Sequence, residues 1–150
     1  MEGLFENICV ALKLHETMFA PVCTRFQLKR TELLVLLFLS REKKNTASDI
    51  VDTLKIAKSH ISASVRDLEE RGLVICRHEG RDHRAVHLQL CEGAADIIRA
   101  CEEAQRAWYA VLCQDLTEQE RQTLGHCLHC MTSSANMYLK EQKQAKVVSL

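Results

Sequence analysis

Apolar residues recur along much of the chain at the three- and four-residue spacing that is typical of amphipathic helices. The first stripe consists of five positions: Leu4, Ile8, Leu12, His15 and Phe19. It predicts a helix over residues 4–20 that Pro21 ends, because proline lacks the backbone donor that a helix needs. A second helix, with Thr31 as its N-cap, is apolar on nearly all sides and is expected at the centre of the fold.

Two further helices joined by a tight turn follow the second helix. Thr46 and Asp49 have the spacing of a capping box, with Asp in place of Glu, which starts a short third helix. Residues 55–57 are then the turn, and residues 58–71 form the fourth helix. Gly72 ends that helix, because glycine readily adopts the left-handed conformation that follows many helix C-termini.

The pattern changes to that of β-structure beyond the fourth helix. Residues 73–78 and residues 84–90 have the composition of strands, and the polar residues between them form the tip of a hairpin. Helical spacing returns after Gly93 in a long fifth helix. Thr117 and Glu120 then start a sixth helix by a second capping box.

This order of elements is that of a winged helix-turn-helix. The predicted fold class is therefore mainly α with a small β-hairpin wing. A single domain is expected over residues 1–150, with the winged helix-turn-helix core at residues 30–91. The helices at residues 4–20 and 93–140 carry more apolar surface than one small core can cover, so they are expected to form a dimer interface.

The fourth helix is the one that would lie in the major groove of DNA. With about 100° per residue, Ile61, Val65 and Leu68 form its buried stripe. We call the opposite side the outward face, and its candidate DNA contacts are Lys58, Ser59, His60, Ser62, Ala63 and Arg66. Serine hydroxyls can bond bases or phosphates, and arginine can bond guanine bidentately. An ordinary amphipathic helix with a solvated face is the alternative interpretation.

Charged residues also cluster at the hairpin tip, around Gly80. They are Arg81, Asp82, His83 and Arg84. A solvated turn needs no pair of arginines, whereas an arginine at a projecting tip can enter the narrow minor groove, where the negative potential is enhanced. Asp82 is expected to hold a neighbouring guanidinium in a bidentate pair rather than to contact DNA.

Residues 31–90 resemble the MarR family of winged helix-turn-helix transcription factors. The most telling marks are Leu-Glu-x-x-Gly-Leu-Val at residues 68–74 and Asp-x-Arg at residues 82–84. The flanking helices resemble the family by their arrangement only. The resemblance implies a homodimer with interlocked terminal helices, two winged domains and regulation by a small ligand, a metal or an oxidant.

Several positions depart from the family's pattern. Lys55 replaces the usual glycine of the turn, and Ala57 stands where a capping serine or threonine is common, so Ser59 is a substitute candidate for the cap. Ala63 stands where a basic residue is frequent, so base contacts are expected to depend more on Arg66 and the serines.

The function that follows is that of a sequence-specific transcriptional regulator. We expect a homodimer that binds a pseudo-palindromic operator in double-stranded DNA, acts as a repressor and is released by a small-molecule effector. Two alternatives stay open, namely a thiol- or zinc-sensing regulator of the same fold and a winged helix that binds protein instead of DNA. No glycine-rich phosphate loop, HExxH motif or nucleophile elbow occurs, so no enzyme is expected.

The charge of the chain is balanced, at 20 basic and 20 acidic residues, but unevenly placed. Residues 55–87 hold seven basic and five acidic residues, a net charge of +2, together with four histidines. Residues 92–121 hold three basic and seven acidic residues, a net charge of −4. This contrast favours a polyanionic partner for the middle segment alone.

Two further observations bear on the compartment. The longest apolar run, Leu33–Leu39, is far shorter than the roughly 18 residues of a membrane span. The N-terminus has no basic region of the kind that precedes a secretory signal. The protein is therefore expected in the cytoplasm with no membrane partner and with its eight cysteines reduced.

Cys9 is the candidate thiol sensor. Its place early in the first helix resembles that of the reactive cysteine in organic-peroxide sensors of the family. Those sensors hold the cysteine with tyrosines from the second-helix region, and residues 23–36 contain no tyrosine here. A buried structural thiol is the preferred interpretation.

His126 and Cys130 are the weak candidates for a metal site, because residues four apart share one face of a helix. Zn²⁺ takes four ligands, so further ligands would have to come from elsewhere, with His15 or Cys23 as candidates. Packing residues at a dimer helix are the preferred interpretation. We expect no metal and no cofactor, and a small organic effector bound in a cleft beside the first helix.

Overall fold

The computed structural model describes residues 3–41, 45–78 and 86–148, with the side chains of the last helix described as far as residue 142. The elements within these residues are α1 (Leu4–Phe26), α2 (Arg30–Arg41), α3 (Ala47–Leu54), α4 (Lys58–Glu70), β1 (Val74–His78), β2 (Val86–Leu90), α5 (Ala95–Leu112) and α6 (Glu118–Val148). A short 3-10 turn, Glu92–Ala94, precedes α5. The predicted fold class, mainly α with one β-hairpin, is confirmed.

The chain divides into two compact units, Met1–Tyr109 and Ala110–Leu150. The first contains α1 to α4, the hairpin and most of α5, whereas the second contains the end of α5 and all of α6. No helix in the described part of the chain is long and apolar enough to span a membrane.

The core of the first unit forms around α2. Five residues of this helix are buried apolar side chains: Leu33, Val35, Leu36, Leu37 and Phe38. The other elements of the unit contribute Phe19, Ile50, Ile61, Leu68, Leu88 and Ile97 to the same core. The predicted central position of α2 is confirmed, and burial of these stripes stabilises the helices more than their intrinsic propensities do.

Helix α1 is longer than predicted, because it contains Pro21 and continues to Phe26. The prediction that Pro21 ends the helix is wrong. A proline inside a helix costs about 3 kcal/mol, but Phe19 and Val22 beside it are buried in the core, and their burial offsets that cost. The helix ends instead at Gln27, which has a left-handed conformation with φ of 52°.

Helix α2 begins at Arg30, so Thr31 lies inside it and the prediction of Thr31 as N-cap is wrong. Lys29 precedes the helix, and its carbonyl accepts a bond from Leu33 N–H at 3.0 Å. Lys29 N–H donates to Glu32 Oε2 at 2.9 Å. The carboxylate of Glu32, in the first turn of this helix, therefore accepts the backbone N–H of the residue that precedes it.

Helix α6 starts as predicted. Thr117 N–H donates to Glu120 Oε2 at 2.8 Å, and Glu120 N–H donates to Thr117 Oγ1 at 3.3 Å. The helix continues to Val148, past the predicted limit at residue 140, because residues 140–148 contain neither glycine nor proline. Among its described side chains, Arg121 alone is partly buried and the others are exposed.

Candidate nucleic-acid interface

The turn between α3 and α4 places the candidate recognition helix. The predicted capping box at the start of α3 is present, with Asp49 N–H and Thr46 Oγ1 at 3.1 Å and Thr46 N–H and Asp49 Oδ2 at 3.1 Å. Helix α3 ends at Lys55, whose φ of 56° is left-handed. Glycine adopts that conformation without strain, so a lysine there costs roughly 1–2 kcal/mol. The connection is as short as the sequence predicts, and α4 begins at Lys58.

Helix α4 has the two sides that its periodicity predicts. Ile61, Val65 and Leu68 are buried, and Ser64 is buried beside them. All six residues of the outward face are exposed. No hydrogen bond or ion pair joins their side chains to another described residue, so hydroxyl, imidazole, ammonium and guanidinium groups there are available to a ligand. The structure brings this half of the predicted site together on one rigid element.

The two ends of α4 are held very differently. Ala57 precedes the helix, and no side chain caps its first amides. At the other end, Leu73 N–H donates to Leu68 O and Gly72 N–H donates to Glu69 O, both at 2.9 Å. This pair of bonds is the Schellman motif, which requires the left-handed φ of 67° that Gly72 supplies. The helix is firm at its C-terminus, while its N-terminal amides stay available to an anion.

The hairpin that follows α4 is antiparallel, and it pairs Val74 with Leu90 and His78 with Val86. Its second strand is fixed to the segment before α3, because Leu88 N–H donates to Asn45 O at 2.7 Å and His87 Nδ1 lies 2.6 Å from Asn45 Oδ1. The predicted tip residues Arg81, Asp82, His83 and Arg84 lie outside the described residues, so their DNA contacts stay a prediction.

A cleft of about 300 Å³ lies in the first unit between α1 and α2. We call it the α1–α2 cleft, and the residues around it that matter here are His15, Glu16, Phe19, Cys23, Arg30 and Leu33. The imidazole of His15 stacks on Phe19 with 4.2 Å between ring centroids, and it meets the edge of Trp108 at 5.6 Å. The cleft thus offers aromatic and aliphatic walls with an ion pair, Arg30 to Glu16, at its edge.

The ionisation of the cleft follows from its burial. Burial of His15, followed by the nearby guanidinium groups of Arg30 and Arg41, lowers the pKa of its imidazole and favours the neutral ring. Burial is also the main reason that the pKa of the Cys23 thiol is raised, so this sulfur stays protonated. Such a cleft suits a small planar organic molecule with one polar or acidic group directed at Arg30.

Comparisons with known proteins agree with this geometry. Residues 26–85 match the MarR family model. Over 69 residues the chain is 36% identical to the transcriptional regulator PetP of Rhodobacter capsulatus. Residues 26–85 are therefore similar to a MarR-family winged helix. The match covers 46% of this chain and 42% of PetP, so it spans less than half the length of that curated relative.

Solved structures extend the likeness of fold beyond the matched MarR-family segment. A MarR transcriptional regulator from Methanosarcina mazei is 17% identical and superposes with a TM-score of 0.78 over 90% of this chain and 97% of that one. Bordetella bronchiseptica BpsR, whose DNA binding is regulated by 6-hydroxynicotinic acid, is 18% identical, with a TM-score of 0.69 over 87% and 99%. At these identities the likeness concerns the fold alone.

The two candidate sensors lie in different compact units. Cys9 is exposed on α1, so the expectation that its thiol is buried is wrong for the single chain. His126 and Cys130 are exposed on α6, with 3.6 Å between Nε2 and Sγ. Among the described residues, no group of three or more His, Cys, Asp or Glu side chains could hold a metal ion. The sensing roles of these residues stay predictions.

The residues of the α1–α2 cleft were not singled out by the sequence. One signal was available, since His15 occupies a position in the apolar stripe of α1 where an aliphatic residue would be ordinary. Its partner Arg30 carries no such signal, because a basic residue at the start of a helix is unremarkable in a pattern. Only the fold brings α1 and α2 close enough to form this cleft.

Proposed function

We propose that the protein is a homodimeric, sequence-specific DNA-binding transcriptional regulator that acts as a repressor in the cytoplasm. The observation that carries the proposal is the outward face of α4. This face presents Ser59, Ser62 and Arg66 to solvent, on a helix whose other side is fixed in the core. A rigid helix with short polar side chains and one arginine has the chemistry of major-groove contacts.

Exposed apolar side chains on α1 support a dimer. The first half of that helix exposes Leu4, Phe5, Ile8, Val10 and Leu12, and Phe5 is 74% exposed. Monomeric proteins rarely leave a continuous apolar surface in water. A second copy of this chain is the partner that the proposal assigns to these side chains.

Helix α6 supports the same conclusion from the second unit. Leu124, Leu128, Met131 and Tyr138 are exposed and follow one another at three-, four- and seven-residue spacing. That spacing is typical of a helix that packs along another helix. Two copies related by a two-fold axis would present two α4 helices to half-sites about one helical turn, or roughly 10 base pairs, apart.

The α1–α2 cleft is the proposed effector site. Its stacked His15 and Phe19 suit a flat ring, and Arg30 suits an acidic group on that ring. The regulation of BpsR by 6-hydroxynicotinic acid is an example of that ligand chemistry on this fold. An aromatic acid that enters the cleft would change the packing of α1 against α2 and release the DNA.

Selection of DNA by the purified chain tests the main proposal. Sequencing of the retained genomic fragments should give a shared pseudo-palindrome, and the affinity for it should fall steeply with salt. The double variant Ser59→Asp, Ser62→Asp adds two negative charges to the outward face and should abolish binding. The double variant Gln119→Asp, Ser133→Asp adds the same charge on the side of α6 away from its apolar stripe and should bind normally.

Two results would contradict the proposal. One is that the retained genomic fragments share no common sequence. The other is that both double variants lose DNA binding to the same extent. For the effector, 6-hydroxynicotinic acid and related aromatic acids should weaken DNA binding by the natural chain. The variant Ala20→Trp, which fills the edge of the cleft, should not respond to them.

A further inference from the structure

Four charged residues join the last turn of α4 to the connection between α1 and α2. We call them the charged cluster, and they are Lys29, Glu32, Asp67 and Arg71. The guanidinium of Arg71 donates from Nη2 to Phe26 O at 2.7 Å and from Nη1 to Gln27 O at 3.1 Å. These two carbonyls are at the end of α1, where no further helical turn would satisfy them. Arg71 therefore completes α1 from a position that belongs to α4.

The buried member of the cluster is Glu32, whose side chain is 3% exposed. Its carboxylate lies 3.6 Å from Arg71 Nη1 and 3.6 Å from Lys29 Nζ, and it accepts Lys29 N–H at 2.9 Å. A buried carboxylate without partners would be strongly destabilising, so this one keeps its cationic neighbours in place. The position of Arg71 is thus fixed from two directions, by carbonyls and by a buried charge.

A second link lies one turn earlier on the same helix. Lys29 Nζ lies 2.5 Å from Asp67 Oδ2. Asp67 and Arg71 are four residues apart and so share one side of α4. Two attachments one turn apart on one side of a helix oppose its rotation about its own axis, which the apolar packing on Ile61 and Leu68 alone would oppose less.

Rotation of α4 matters because of where Arg66 projects. At about 100° per residue, Arg71 lies about 140° around the helix axis from Arg66. A rotation of about 20° moves an atom at a radius of about 6 Å by about 2 Å. Functional groups must usually be held within about 0.5 Å of their productive positions. A modest rotation would therefore misplace the base contacts while leaving the core intact.

We propose that Arg71 is a positioning residue of the recognition helix: it holds α4 in the rotation at which the outward face can contact bases, and does not itself contact DNA. The proposal rests on the DNA-binding function proposed above. The guanidinium already donates to two carbonyls and faces a carboxylate, so its contacts are with the end of α1 and the first turn of α2. The role of Arg71 is in discrimination between sequences rather than in the attraction of DNA as a polyanion.

The test compares Arg71→Ala, Arg71→Lys and the control Arg106→Ala, which removes the same charge from an exposed position on α5. Dissociation constants are measured on the duplex that the natural chain selects and on a random duplex of equal length, over a range of salt concentrations. Circular dichroism sets a temperature at which every variant is folded. If Arg71→Ala fails to fold, Lys29→Ala replaces it, because Lys29 is exposed and its loss removes the ion pairs to Asp67 and Glu32 while Arg71 stays in place.

We expect Arg71→Ala to weaken binding to the selected duplex by roughly 5- to 100-fold, the value of one misplaced bidentate base contact. Its affinity for random duplex and the salt slope should match the natural chain, because no phosphate contact is lost. The affinity of Arg71→Lys for the selected duplex should lie between those of the natural chain and Arg71→Ala. Lysine keeps the charge but lacks the two-pronged guanidinium that donates to two carbonyls. Arg106→Ala should not change the affinity for either duplex.

Three outcomes would overturn the proposal. Unchanged discrimination in folded Arg71→Ala would overturn the positioning role alone. Equal losses on both duplexes with a shallower salt slope would identify Arg71 as a phosphate contact instead. A natural chain that does not distinguish the selected duplex from random DNA would overturn the proposed function, and the positioning role with it.

Discussion

Helices α4 and α6 differ in how much of each the folded chain buries. One side of α4 is buried, Ile61 and Leu68 completely, and its other side is exposed and polar. Along α6 every described side chain except Arg121 is exposed, although several of them are large and apolar. The single chain therefore buries the apolar side of α4. It leaves the apolar side chains of α6 exposed to water, which is unfavourable. The difference suggests that α4 is prepared for a polar partner and α6 for a second copy of the chain.

The largest expected effects on stability come from replacing one leucine on each of these two helices. Leu68→Ala should lower the free energy of unfolding by about 2–5 kcal/mol, because it opens a cavity among fully buried side chains. The loss should be the same at every protein concentration, since Leu68 is covered within its own chain. Urea titrations at two protein concentrations measure it. A loss that shrinks at high concentration would mean that α4 too depends on a partner.

Leu128→Ala should act on association instead. Leu128 is 51% exposed in the single chain, and a partner that covers it would contribute about 1.5–3 kcal/mol of the dimer's free energy. Sedimentation equilibrium should show a weaker dimer, and the thermal midpoint should become more dependent on concentration. The exposed serine variant Ser133→Ala on the same helix is the control. A natural chain that sediments as a monomer at micromolar concentration would contradict the assignment of α6.

Two arginines sharpen the DNA side of the comparison. Arg66→Ala should reduce discrimination at one base position by about 1–3 kcal/mol, if Arg66 contacts a guanine. Arg81→Ala, in the tip that the sequence predicts, should instead weaken binding to most sequences and flatten the salt slope. Affinities on single-base variants of the selected duplex separate the two effects. Equal and sequence-independent losses would mean that the outward face is assigned to the wrong side of α4.

A smaller effect concerns the exposed pair that helps to hold α4. The hydrogen bond from Lys29 is the main reason that the pKa of Asp67 lies below its ordinary value of 3.8. The pair therefore contributes stability above that value and loses it as the pH falls through the lowered pKa of the folded state. The same bond raises the pKa of Lys29 above 10.5, so the contribution is also lost in strong base, as the pH rises through that raised value.

Unfolding of the natural chain and of Asp67→Asn at a series of pH values checks this. The natural chain should hold a small advantage at neutral pH that disappears in acid. If the natural chain instead became more stable relative to Asp67→Asn as the pH falls, stability would depend on the ionisation of Asp67 in the opposite direction.

We expect the cysteines neither to bind zinc nor to make DNA binding sensitive to peroxide. Purified protein should hold no stoichiometric zinc, and Cys9→Ser should bind DNA like the natural chain before and after mild peroxide. The reasons are that α6 brings two soft ligands together where Zn²⁺ takes four, and that Cys9 lacks neighbouring tyrosines in the second-helix region. One metal per chain, or release by peroxide that Cys9→Ser prevents, would overturn this expectation.

The elements that the sequence predicts well are those with local causes. The capping boxes at Thr46 and Thr117, the turn at Lys55 and the stop at Gly72 each depend on residues no more than a few positions apart. Short-range hydrogen bonds and backbone preferences decide such features. The buried stripe of α4 was equally predictable, because helical periodicity alone identifies it.

The failures and omissions have causes that are distant along the chain. Pro21 stays inside α1 because the surrounding core holds the helix, and no local pattern contains that core. The link from Lys29 to Asp67 spans 38 residues and the bond from Arg71 to Phe26 spans 45, so neither leaves a periodic signal. An effector cleft beside the first helix was predicted, but its residues were not identified, because they depend on how α1 and α2 pack.

The missing side-chain cap at Ala57 has a consequence for the engineering of this protein. A serine or threonine at this position would contribute about 0.5–2 kcal/mol to a helix start. Natural chains seldom reach their greatest possible stability, and stabilising substitutions are often compatible with the fold. In this chain the stability that a side-chain cap would add is missing at the N-terminus of α4, the end that approaches DNA in the proposed function. Sturdier variants can start from Ala57→Ser, and whether they bind DNA as well will show what that turn has been selected for.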